Sequence, residues 1–262
     1  MTISIIAGKG DFPKIIAKHS INNIVICIKG LSKPTDFKNP TARVSLLEIE
    51  KLIEKLNNHK IKKIVFAGKF FRPDLNNNKI DNSSKKILKQ ILYKGDEHVL
   101  NIIKSFFLKN GFEIISPSVL LKNNLIKKNL IISKHYDENK INFLNKSAKN
   151  GINLLNKISK FDIGQSVVLL DKHIIGIEGL EGTNELIKRS GLLFKKYLKT
   201  LYPFGPILVK FPKKHQSLDL DMPVIGIETI ELCKENNFLG VAVSSFGTLV
   251  LDKEKILNFS KS

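Results

Sequence analysis

Asp219 and Asp221 stand two apart in the segment Gln216-Ser217-Leu218-Asp219-Leu220-Asp221-Met222-Pro223. In an extended chain, residues two apart project to one face, so this spacing predicts a carboxylate pair. Two carboxylates side by side raise each other's pKa unless a cation neutralises them. Mg2+, a hard ion that prefers oxygen, is the economical answer. The competing reading is a solvated pair offset by Lys210, Lys213 and Lys214, and the segment alone weighs the two equally.

Glycine turns offer a second kind of chemistry. Gly8-Lys9-Gly10-Asp11-Phe12-Pro13 follows an apolar run. Glycines there let the backbone turn tightly, and the N–H groups of a helix start can receive phosphate oxygens. A nicotinamide site is disfavoured: Pro13 replaces the third glycine of a dinucleotide fingerprint, and Lys29-Gly30 stand where a ribose-binding acid belongs. Asp11 has a plainer role open to it as a helix cap. Ala67-Gly68-Lys69 makes a similar turn, running into Phe71-Arg72-Pro73, and the two turns are expected to face one crevice. Gly95-Asp96-Glu97-His98 opens a helix, where acids either satisfy the helix N-terminus or meet a ligand. Asp162-Ile163-Gly164-Gln165 and Glu178-Gly179-Leu180-Glu181-Gly182-Thr183-Asn184 bracket an apolar stretch. The second is a polar turn suited to a phosphate or a hydrated cation. The six histidines are scattered, and none is assigned a catalytic role.

The elements that must position these groups come from hydrophobic periodicity. Strands are expected at 3–7, 23–28, 64–67 and 112–115, alternating with helices that begin near Asp11 or Pro13 and span 47–58, 84–93 and 96–109. That alternation implies a mainly parallel sheet with helices on both faces. Residues 120–160 supply a connection and a helix near 140–157. Beyond them the pattern changes. A hairpin is expected over 167–177, strands at 207–211, 239–243 and 248–251, and helices at 183–199 and 227–236. The fold class is therefore α/β: an N-terminal Rossmann-like parallel-sheet domain (1–130) and a second α/β domain of different topology (131–262).

With 262 residues, 42% hydrophobic and 26% charged, the chain is long enough for two cores and too apolar for disorder. Its net charge of +19 would attract polyanions, whether nucleic acid, anionic lipid or nucleotide, although the crowding of Lys, Asn and Ile is also what AT-rich coding produces. Arginine is sparse and no nucleic-acid-binding motif is present, so a nucleic-acid partner is not expected. Cys27 and Cys233 lack CxxC or histidine company and read as buried thiols. No apolar run approaches the roughly 20 residues of a membrane span, and a cytoplasmic protein is expected.

Taken in order, IAGKGDFP, FAGKFFRP, KGDEHVL, DIGQSVVLLDKHIIGIEGLEGTNELIKR, ILVKFPKKHQ and DLDMPVIGIETI resemble the LpxI-type UDP-2,3-diacylglucosamine pyrophosphatases of lipid A biosynthesis, from residue 3 to about 251. The resemblance implies Mg2+-dependent hydrolysis of UDP-2,3-diacylglucosamine to UMP and 2,3-diacylglucosamine 1-phosphate, with attack at the phosphorus nearer the sugar. It also implies a family-specific C-terminal domain and a lipid substrate lying between the two domains. The family's essential aspartate, in its Asp-x-Pro motif, falls on Asp221, as catalytic residue and metal ligand. Substrate contacts fall on Gly10, Asp11, Arg72, Asp96, Gln165, Thr183 and Lys210. Ser217, Asp219 and Asn184 depart from the family's usual acid, arginine and aspartate. A lipid substrate implies peripheral association with the anionic inner leaflet of the inner membrane, and a homodimer through the C-terminal domain is left open.

Overall fold

In the computed structural model the described residues are 2–19, 23–73, 75, 79–126, 136–161, 163–213 and 218–259, the side chains of Asp96 and Glu97 excepted. Contacts divide the chain into two compact units: Met1–Lys122 with Ser217–Met222, and Asn123–Gln216 with Pro223–Ser262. The expected boundary at 130 falls outside the described residues.

The first unit runs β1 (Ile3–Ala7), α1 (Phe12–Lys18), β2 (Ile24–Ile28), β3 (Thr41–Val44), α2 (Ile49–Asn58), β4 (Lys63–Ala67), α3 (Asn82–Ile91), α4 (Asp96–Lys109), β5 (Glu113–Ile114) and α5 (Pro117–Leu120). Its five strands pair in parallel in the order β3-β2-β1-β4-β5, as the βα alternation predicts. Parallel strands covered on both faces read as unbroken apolar runs, and β1 is buried along its whole length. On one face Ile6, Ile26, Ile28 and Ile64 meet Leu52 and Leu56 of α2 and Phe107 of α4. Phe107 is 1% exposed and stacks edge-on with Phe66, Phe106 and Phe112 at centroid distances of 5.5, 5.6 and 6.1 Å. Burying one such ring contributes roughly 1.5–3 kcal/mol. β3 was not foreseen. Its exposed Arg43 and short length hide it from an apolar-run reading.

The second unit runs α6 (Glu138–Ile158), β6 (Ser166–Leu170), β7 (His173–Ile177), α7 (Gly182–Leu193), a π-helix (Phe194–Leu198), β8 (Ile207–Lys210), β9 (Val224–Ile225), α8 (Ile227–Glu235), β10 (Gly240–Val243), β11 (Leu249–Val250) and α9 (Lys253–Phe259). The expected hairpin is β6–β7, inside a mixed sheet of order β10-β8-β6-β7. β11 leaves that sheet and pairs with β9, which the sequence reading did not foresee. Alternation sends Val167, Leu169, Ile207 and Val209 towards Leu155 of α6, and Val168 and Leu208 towards Leu186 and Ile187 of α7. The helix expected over 183–199 changes character at Phe194, where the π-helix begins. Among the described residues no helix is long and apolar enough to cross a membrane.

Candidate functional site

Ser166 and Lys210 face each other across β6 and β8, on the sheet face that α7 covers. β7 ends beside them, and the Glu178 backbone N–H donates to the Ser166 carbonyl at 2.9 Å. Three neighbouring strands thus set a carboxylate, a hydroxyl and an ammonium in one row under the first turn of α7. Glu178 is 9% exposed. It accepts the Gln165 backbone N–H at 2.9 Å on one oxygen and the Thr183 hydroxyl at 2.7 Å on the other. Lys210 Nζ donates to the same hydroxyl at 3.1 Å. A hydroxyl has one proton, so Thr183 spends it on Glu178 and receives Lys210 on a lone pair. The result is a relay, Lys210 to Thr183 to Glu178, that fixes where the ammonium sits.

The turn before α7 leaves that helix's first amides without a side-chain cap. Glu181, at the N-cap, is turned away onto the Gly179 N–H (3.1 Å) and Arg189 (2.9 Å). Its carboxyl is held below the usual range by its own backbone amide and by Arg189. Uncapped amides beside a lysine favour an anion. On the far side Gly164 admits no side chain, since a Cβ there would stand 2.4 Å from Glu178 Cγ.

In the first unit the topology reverses between β1 and β4, where a ligand crevice is expected. The backbone closes that place. Gly8 N–H donates to Ala67 at 2.8 Å, and Lys9 and Lys69 exchange two bonds of 2.9 Å. Gly8 allows the approach, because a Cβ would meet the Lys69 carbonyl at 2.6 Å, and Gly68 adopts φ +90°. The two glycine turns do come together, but against each other. The open cleft, of about 430 Å3, lies at the ends of β2, β3 and β4 and is lined by Lys29, Ser45, Glu48, Phe71, Arg72 and Lys79, among others. Lys29 pairs with Glu48 at 2.9 Å, and that bond chiefly holds the Glu48 carboxyl below its ordinary value.

Of the residues expected to act, Gln165, Thr183 and Lys210 meet around Glu178. Arg72 lines the cleft and bonds the Lys94 carbonyl at 2.5 Å. Gly10 turns with φ +104° in open space. Asp11 occupies the N-cap of α1 without bonding it and pairs instead with Lys14 at 2.9 Å. The side chain of Asp96 lies outside the described residues, as do Asp162, Lys214, Gln216 and Ser217.

The expected extended pair at 219 and 221 is corrected. Residues 218–220 form a turn, Leu220 packs onto the first unit's core, and Asp219 pairs with Lys104 at 2.8 Å. Burial of Leu220 and attraction to Lys104 outweigh the alternation, and Asp219 is neutralised without a metal. Asp221 follows the turn, half-buried, in the first unit. Among the described residues no group of three or more His, Cys, Asp or Glu is placed to hold a metal ion.

Sequence reasoning did not single out Ser166, and it took in Glu178 only as one acid of the polar turn. The available signal was a carboxylate one residue past an alternating strand, in line with a strand-end lysine. For the Lys29–Glu48 pair, 19 residues apart, there was none.

Two family models match the chain, the LpxI N-terminal domain over residues 2–124 and the LpxI C-terminal domain over 134–262. A UDP-2,3-diacylglucosamine pyrophosphatase LpxI from Caulobacter vibrioides is 24% identical over 267 residues, covering 97% of this chain and 92% of that protein.

Proposed function

Because the chain belongs to the LpxI family, we propose that it hydrolyses UDP-2,3-diacylglucosamine to UMP and 2,3-diacylglucosamine 1-phosphate in lipid A biosynthesis. The observation that carries this reading is the match of both family domains, in order, together with a relative of that name aligned along nearly its whole length. The polar row of the second unit suits the chemistry. A diphosphate diester repels nucleophiles because its oxygens are already negative, and fixed donors lower that barrier. Lys210 and the first amides of α7 receive phosphoryl oxygens; Thr183 and Glu178 keep the ammonium in place; Gln165 holds Glu178 through its amide. Gly10, Asp11, Arg72 and Asp96 complete the proposed substrate contacts.

Asp221 acts on the attacking water, either as the base that takes its proton or as the ligand of a cation. The cation proposed is Mg2+, which usually binds through one or two carboxylates plus substrate phosphates and water instead of an all-protein cage. Asp221 would hold it, with Asp219 already engaged by Lys104. When bound, Mg2+ would supply charge neutralisation at the diphosphate and would lower the pKa of the attacking water. The water oxygen joins the phosphorus nearer the sugar as the bond to the UMP oxygen breaks. A substrate with two acyl chains places this cytoplasmic chemistry at the anionic inner leaflet, reached peripherally.

UMP release from dispersed substrate, with and without Mg2+, in wild type and Asp221→Ala, tests the proposal. Magnesium-dependent release that Asp221→Ala abolishes, with substrate binding retained, is the expected result. Wild-type rates in the variant would refute Asp221's role, and no release from wild type would reduce the chain to a sugar-nucleotide sensor.

A further inference from the structure

The outer face of α7 and the π-helix is unusual for a surface in water. Leu192, Leu193, Tyr197 and Leu201 are 65, 40, 58 and 71% exposed. Leu193, Tyr197 and Leu201 recur every four residues, from the end of α7 through the π-helix into the turn that follows it. The opposite side is spent on the core, with Leu186, Ile187, Ser190, Gly191 and Phe194 buried. The segment is therefore held in place by one apolar face while it presents another.

Its charge has a single sign. From Lys188 to Leu201 there are five cations and no acid. Lys188 and Arg189 are offset by Glu185 and Glu181. Lys195, Lys196 and Lys199 have no carboxylate partner among the described residues; Lys195 bonds only the Glu235 carbonyl, at 3.2 Å. Lys196 Nζ lies over the Tyr197 ring, 5.0 Å from its centroid, an aromatic contact and not a carboxylate one.

We propose that this face, from Leu192 to Leu201, docks the protein on an anionic lipid bilayer. Exposed leucines and a tyrosine among uncompensated lysines make up an interfacial element: side chains enter the acyl boundary while ammonium groups reach lipid phosphates. A second copy of the chain fits worse, because self-pairing would bring the same lysines together. The proposal rests on the reading above for the choice of leaflet, and it locates the contact.

Co-sedimentation with vesicles tests it, using phosphatidylethanolamine with 30% phosphatidylglycerol against phosphatidylcholine alone. Wild type is expected to bind the anionic vesicles, more weakly as salt rises. At ~1 kcal/mol per lysine, Lys196→Gln/Lys199→Gln should lower the partition coefficient about 30-fold. Leu192→Ser/Leu201→Ser should lower it at least tenfold, with an unchanged circular dichroism spectrum. Lys85→Gln/Lys89→Gln on α3, with the same change in net charge, should lower it less than threefold. Equal losses from the α3 and π-helix pairs would mean a diffuse charge effect and overturn the assignment. So would wild-type binding by both π-helix variants, which leaves peripheral association standing, or a mass change showing that this face holds a second copy. UMP release from detergent-dispersed substrate, measured in parallel, reports separately on the proposed reaction.

Discussion

Thr183→Val removes one oxygen and nearly nothing else, which makes it the sharpest probe of the polar row. Two hydrogen bonds to charged groups are lost, at 3.1 Å from Lys210 and 2.7 Å to Glu178. Each such bond contributes about 1.5–3 kcal/mol, so the upper limit is about 3–6 kcal/mol. Two features lower it. Glu178 retains the Gln165 amide at 2.9 Å, and Lys210 is only half-buried, so water replaces part of what is lost. The contact of Ser166 with the hydroxyl, at 3.5 Å, is too long to add to that sum. A net loss of about 2–4 kcal/mol is therefore expected in urea unfolding followed by circular dichroism. Turnover should fall about 100-fold, the cost of displacing a charge-stabilising group by roughly 1 Å. Thr183→Ser keeps the oxygen and should stay within threefold of wild type in kcat and ~1 kcal/mol in stability. A valine variant with unchanged stability and turnover would refute the relay. Equal damage from serine would show that the methyl group mattered, and would refute it too. A third pattern, stability retained but turnover lost, would show Lys210 collapsing onto Glu178 as a direct ion pair; the relay would then serve to keep those two charges apart.

Other outcomes follow from the same structure. Gly164→Ala drives a methyl to 2.4 Å from Glu178 Cγ and should cost about 1–3 kcal/mol, with a loss of UMP release that exceeds the stability effect. Phe107→Ala empties the centre of the first unit's aromatic cluster and should cost about 3–5 kcal/mol in the same urea assay. Burial raises Cys233 from 9.0 to about 12 and also raises Cys27 and Tyr136, so the folded chain keeps protons that the unfolded chain gives up. Stability should be full below about pH 9 and decline as pH climbs towards 12, and neither thiol should react with iodoacetamide at pH 8 without denaturant. Glu48 and Glu181 carry depressed values, so their contribution is present above their ordinary 4.5 and lost as pH falls below it. Glu48→Gln should flatten that acid limb in a pH series of melting curves.

What could be read from the sequence was what depends on neighbours along the chain. The parallel sheet announced itself because strands covered on both faces leave runs such as Ile24–Ile28, wholly apolar, and Ile3–Ala7, apolar but for Ser4. The hairpin announced itself through Asp171-Lys172-His173 set between two such runs. Thr41–Val44 and Val224–Ile225 were invisible because short strands need a partner's ladder to exist, not a pattern of their own. The turn at Asp219 depended on Lys104, 115 residues away, and overrode a local alternation that pointed to an extended chain. The glycine turns were correctly seen as neighbours, yet their mutual bonds, which close the switch point and leave the cleft at the ends of β2, β3 and β4, could not be inferred from either turn alone.

The same distinction separates the parts of the candidate site. Gln165, Thr183 and Lys210 were each picked out by a local feature: a glycine turn, a helix start or a strand end. What joins them is Glu178, which reads in sequence as one more acid in a polar turn. Its importance comes from register: the Ser166–Lys210 pairing and the return of β7 put its carboxylate where two donors from different elements converge. A buried polar group left without partners costs free energy, so moving the hairpin or α7 would strand the Glu178 carboxylate from its two donors. The fold thereby ties the charge pattern that would meet a diphosphate to the second unit's core. A substitution at Val168 or Leu208, apolar residues on the same strands, that shifts α7 should then disturb turnover as much as one at Lys210.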